Sequence, residues 1–123
     1  MTARFFMIFA SLSGFLAVAA GAFGAHALKK RLSPDMLNVF EVGVRYQMYH
    51  AFALMAVVWM LSRSSSAALT VAGYSFVVGS LVFSGSLYAL ALSGVRWLGA
   101  ITPLGGVAFL VGWLCLAWVA WRT

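Results

Sequence analysis

Residues 33–61 read SPDMLNVFEVGVRYQMYHAFALMAVVWML, and the fold turns on where this stretch lies. Ser33 and Pro34 start a helix. The serine hydroxyl can accept from a free backbone N–H, proline suits the first turn, and Asp35 lies near the positive end of the helix dipole. A helix is expected over 34–61. From Met48 onward it is apolar. Its first half holds Asp35 and Glu41, the only two acids in 123 residues, with Arg45, Tyr46, Gln47, Tyr49 and His50. Counted from Pro34 it can cross a bilayer; counted from Met48 it falls short of the ~20 residues a crossing needs. Either the polar half enters the membrane inside a bundle or it lies at the interface.

On a helix, Asn38, Glu41, Arg45 and Tyr49 share one stripe, being three or four residues apart. Glu41 precedes Arg45 by four, the favourable order for an ion pair. Pairing is expected in low dielectric, where a lone charge costs ~2.5–3.5 kcal/mol on even the mildest scale. Tyr46 and His50 form a second pair turned away from the first stripe. With polar groups on more than one side, this half-helix must lie among other helices or wet at the interface.

The chain as a whole is 64% hydrophobic and 8% charged. Soluble domains carry about a quarter charged residues, so a soluble monomer is excluded. The net charge of +6 sits at the ends of apolar runs and forms no basic face. Anionic lipid headgroups, not nucleic acid, are the matching partner. The single cysteine, Cys115, allows no internal disulfide or CxxC motif and reads as an inert buried thiol.

Three further helices are expected, over 5–27, 67–92 and 97–121. The first imitates a signal peptide, with Arg4 ahead and Ala25-His26-Ala27 behind. Its apolar run exceeds the usual core of about 7–15 residues, so it reads as a retained helix. Small residues recur at four-residue spacing (Ala10 and Gly14; Ala17, Gly21 and Ala25; Ser75 and Gly79; Ser80 and Ser84), which lets helices pack closely within one chain or across a homo-oligomer seam. SRSSS at 62–66 is a polar turn, Ser93-Gly94 ends the third helix, and Thr102-Pro103 restarts or kinks the fourth. Trp113, Trp118 and Trp121 end the chain, the later two suited to an interfacial belt. The fold class is therefore all-α: one integral membrane domain over 1–123, an up-down bundle of four transmembrane helices. Lys29, Lys30, Arg31 and Arg96 fall on one side, against Arg4, Arg63 and Arg122 on the side of the termini. The positive-inside rule then puts both termini outside.

In such a bundle the end of helix one, the start of two, the end of three and the start of four share one membrane face. His26, Glu41, Arg45, Tyr46, Tyr49, His50, Ser84, Ser86, Tyr88 and Thr102 are expected to cluster there. The cluster can work as a proton or ion site, with Glu41 titrating, Arg45 tuning it and a histidine relaying. It can equally be a paired structural network that fixes helix register. A bis-histidine haem site would need His26 and His50 at one depth, and no attachment motif supports it. No metal-ligand spacing, nucleophile–base pair or phosphate loop occurs, so no metal or cofactor is assigned and an enzyme is the weaker expectation.

GAFGAHAL at 21–28, RYQMYHAFAL at 45–54, FSGSLY at 83–88 and ITPLGG at 101–106 together resemble the YgdD / transmembrane-protein-256 family. These are small four-helix membrane proteins of bacterial inner membranes, with relatives in animals. The resemblance runs over nearly the whole chain and implies a multi-pass inner-membrane protein, with no activity to carry over. Three readings follow: binding of a lipid or a partner membrane protein through the polar cluster, a small oligomeric transporter or channel using Glu41 and His50, or a membrane enzyme on a lipidic substrate with His50 as base and Arg45 as anion clamp.

Overall fold

The computed structural model describes Met1–Thr123, folded as four long helical rods with no strand. They are α1 (Thr2–Leu28), α2 (Pro34–Leu61), α3 (Ala67–Ser93) and α4 (Arg96–Arg122). At 1.5 Å per residue each is about 40 Å long, more than a ~30 Å hydrocarbon core. Three of them, α1, α3 and α4, are both long and apolar enough to cross a membrane. α2 matches them in length but not in composition, because Asp35 to His50 hold its polar groups. The sequence-based count of four equivalent spans is thus corrected to four rods with three apolar candidates.

The local signals act as the sequence indicates. Ser33 Oγ accepts the Met36 N–H at 3.2 Å, and Ser66 Oγ does the same for Ala68. Gly94 ends α3 at φ +74°, a left-handed conformation that suits glycine. α4 opens with a 3-10 turn over Arg96–Ala100, and its α-helical part starts at Thr102 with proline in the first turn. Two features have no counterpart in the apolar pattern. α1 and α3 each contain a π turn, at Ala20–Gly24 and Ser80–Ser84; in the first, the Ala25 N–H reaches back five residues to the Ala20 carbonyl.

The rods run alternately up and down, with α2 and α3 as the middle pair. α1 lies along α2 and meets α3 only near one end; α4 lies along α3. Aromatic rings seated on glycines set these approaches. The Phe6 ring fills the space a Cβ would take at Gly73, Phe109 does so at Gly79, and Phe76 at Gly112. At Gly105 a Cβ would run into the Phe83 backbone itself. The core around them is Phe6, Ala10, Leu54, Val57, Phe76 and Phe109, each at most 4% exposed. Ala10 and Ala17 of the small-residue series are spent here, buried within the chain; a Cβ at Gly21 would press on Val44 of α2, and only Gly14 stands off this face.

The outer faces of the bundle are apolar. Phe15, Leu16, Leu81, Leu104, Leu110 and Leu114 all stand more than half exposed, an outer surface that calls for lipid rather than water. At the end where α2 and α4 stop, Arg63 and Arg122 lie over Trp59 and Trp118, each 5.1 Å from the ring centroid. Such Trp–Arg pairs fit the headgroup level.

Candidate functional site

A chain of polar contacts ties all four rods together. α2 buries one face, on which Phe40, Gly43, Gln47, His50, Leu54 and Val57 follow steps of three and four. Gln47, halfway along the helix, is its hub. Its Nε2 donates to the Ser13 carbonyl of α1 at 2.8 Å, and its Oε1 accepts the Tyr88 hydroxyl of α3 at 2.5 Å. One turn away, Ser84 Oγ donates to the Gly43 carbonyl at 2.7 Å. Ser84 closes the π turn of α3 and is 1% exposed. Ser86 Oγ donates to the Phe83 carbonyl at 2.9 Å and lies 2.6 Å from Thr102 Oγ1. With its one proton committed, Ser86 accepts and Thr102 donates, joining α3 to α4.

His50 is held at both ring nitrogens. Trp113 Nε1–H of α4 donates to His50 Nε2 at 3.0 Å, so Nδ1 carries the proton and donates to the Tyr46 carbonyl at 2.7 Å. The ring lies flat on Phe109, with centroids 3.5 Å apart and planes 5° apart. Both nitrogens are used and one face is covered. No buried side-chain polar atom lacks a partner.

Beside this network lies a cleft. α1 and α3 touch where Phe6 packs edge-on to Tyr74, with ring centroids 5.0 Å apart, and part beyond it, leaving α2 as the floor. The space between them is about 340 Å³. Its walls are Phe9, Leu12 and Leu16 of α1 against Leu81 and Gly85 of α3; Ser13, Gln47, Ser80, Ser84 and Tyr88 supply polar groups at its base. Leu12, Leu16 and Leu81 are exposed, so the cleft opens sideways, toward the surroundings of the bundle. An apolar slot with a few converging polar groups is the usual form of a site for an amphipathic small molecule.

A family model described as a protein of unknown function, DUF423, matches residues 20–106. The chain belongs to this family. A UPF0382 membrane protein of Staphylococcus epidermidis is 46% identical over 113 residues, covering 92% of each chain. The UPF0382 membrane protein YwdK of Bacillus subtilis is 42% identical over 114 residues, 92% of this chain and 93% of its own. The UPF0382 inner membrane protein YgdD of Escherichia coli K12 is 42% identical over 113 residues, covering 92% of this chain and 86% of YgdD. No solved structure matches the chain. The DUF423 segment holds the end of α1, α2, α3 and the start of α4, and with them Gln47, His50, Ser84, Ser86, Tyr88 and Thr102; Ser13 and Trp113 lie outside it.

The ten residues expected to cluster divide into two groups. His50, Ser84, Ser86, Tyr88 and Thr102 enter the network by their side chains, and Tyr46 enters by its carbonyl. His26, Glu41, Arg45 and Tyr49 lie exposed. The expected Glu41–Arg45 ion pair does not form; both side chains sit exposed on the outer face of α2, where no neighbouring rod confines them. The two histidines do not face each other: His26 is exposed near the end of α1 and His50 is buried midway along α2. The network therefore runs inward from the end of the bundle to its mid-depth instead of lying at one face. Gln47, Ser13 and Trp113 are its unexpected members. For Gln47 a signal existed, since it falls in phase with Phe40, Gly43 and Leu54. Ser13 acts through its backbone, which no side-chain reading reveals.

Proposed function

We propose that this protein is a multi-pass inner-membrane protein that binds one amphipathic lipid in the cleft between α1 and α3. The observation that carries this reading is a hydrogen-bonded floor, Gln47 with Tyr88, at the base of an apolar slot that opens sideways. An apolar chain lies against Leu12, Leu16 and Leu81. A carbonyl or hydroxyl of the same lipid meets the second Gln47 N–H and the free lone pair of Tyr88 Oη. The α1 end of the bundle carries Lys29, Lys30 and Arg31, suited to an anionic headgroup.

This reading takes α2 across the membrane with the other three rods. Counting ~20 residues back from Leu61 reaches Val42, so Glu41 meets the headgroups and Arg45 lies within a turn of them, close enough for its long side chain to snorkel. Deeper along α2, Gln47 and His50 are turned inward and paired.

Native mass spectrometry of gently extracted protein tests the proposal. Gly85 lines the cleft and a Cβ there meets nothing within 4 Å, so Gly85→Trp starts a large side chain at the cleft wall without a clash at its root. The wild type is expected to retain one lipid, and Gly85→Trp to lose it at unchanged helix content. Equal retention by both would sink the reading.

A further inference from the structure

We infer that the outer stripe of α2 is the contact surface for a second copy of this chain, arranged with its α2 parallel to the first. Asn38, Arg45, Phe52 and Trp59 recur at seven-residue steps with Glu41 between the first two, the period of a helix-to-helix seam. The side chains of Asn38, Glu41 and Arg45 make no hydrogen bond within the chain, and Trp59 meets only Arg63 over its ring. Phe52 is 64% and Trp59 61% exposed, while α1 and α3 cover α2 from its other side.

Charge identifies the occupant. Glu41 and Arg45 are the one acid–base couple on this face, in the favourable four-residue order, and they are left unpaired. A two-fold axis parallel to the helices sets α2 beside its copy. Each Glu41 then lies one turn, ~6 Å along the axis, from the second copy's Arg45, and symmetry makes the pair twice. Side chains of this length bridge comparable offsets between parallel helices. Below the charges Phe52 continues the contact into hydrocarbon, and Trp59 ends it at the opposite headgroup level. A stripe holding one acid, one base and large apolar side chains is complementary to itself. The seam leaves the α1–α3 cleft open, since Gln47 and Arg45 point to opposite sides of α2, so this inference stands whether or not a lipid occupies the cleft.

Charge reversal tests it in purified protein. Glu41→Arg makes the stripe wholly basic and Arg45→Glu makes it wholly acidic; both positions are exposed, so neither change touches the core. In native mass spectrometry the wild type is expected as a dimer. Each single variant should dimerise at least about tenfold more weakly. Co-expressed with different tags, the two variants should pair with each other and recover the wild-type dimer fraction, which a pairing within one chain cannot produce. A monomeric wild type, single variants as dimeric as the wild type, or co-expressed variants that remain monomeric would each overturn the inference.

Discussion

At the scale of single residues, the polar groups of this protein act by leaving no buried atom unpaired. His50 shows the consequence most sharply. Its Nε2 has one donor, Trp113 Nε1–H. Trp113→Phe keeps an aromatic ring beside Phe76 but strands that nitrogen, and an unsatisfied buried acceptor costs ~1–3 kcal/mol. Thermal unfolding in detergent should show a loss of that order, whereas the same change at Trp118, which sits at the rim, should show almost none. Gln47 illustrates how far a sequence carries such arguments. Its neighbour Arg45 draws attention by its charge, yet the glutamine, two residues on, holds three helices together. An amide reads alike whether it faces in or out, and only the phase of the buried face separates the two cases.

At the scale of helices, the decisive contacts are rings resting on glycines. A Cβ at Gly105 would enter the Phe83 backbone, and one at Gly79 would enter the Phe109 ring and approach the Gly105 carbonyl to 3.2 Å. Neither obstacle is the free end of a flexible side chain. Gly79→Ala and Gly105→Ala should each destabilise the protein by ~1–3 kcal/mol. At Gly14 and Gly106 a Cβ meets nothing, and alanine there should be neutral or slightly stabilising, as helix propensity dictates. Melting temperatures of the four variants would check this division; similar losses at all four would refute the packing account. The small-residue spacing marked Gly14 and Gly79 alike and left Gly105 and Gly106 unmarked. It could not separate those that receive a ring from those that face outward, because that depends on which helix lies opposite.

At the scale of the whole molecule, three apolar rods and one with a polar half are arranged so that the polar half is hidden along one side and exposed along the other. Orientation rests on the unequal placement of Lys29, Lys30, Arg31 and Arg96 against Arg4, Arg63 and Arg122. The charge count predicts the 29–31 connection in the cytoplasm and Ser64 outside. In a Cys115→Ser background, Ser64→Cys should react with an impermeant thiol reagent added to intact cells, and Lys30→Cys only after the membrane is opened. The reverse pattern would invert the topology and move the basic end, with any anionic headgroup it attracts, to the outer face.

Composition, apolar run length and capping residues decided that the protein is helical, where its rods start and stop, and that it belongs in a membrane. These follow from local chemistry: a helix satisfies its own backbone, Ser33 and Ser66 cap it, and Gly94 ends it, with no reference to the rest of the chain. The partners of the polar groups are a different matter. The π turn at Ser80–Ser84 shifts the phase of α3 partway along, Phe6 and Phe109 select glycines on a neighbouring rod, and Gln47 reaches a backbone carbonyl 34 residues away. The same polar types lie inside the bundle at Gln47 and His50 and outside it at Asn38 and His26. Only tertiary structure decided that difference, because burial belongs to the helices that come to lie beside a residue and not to the residue itself.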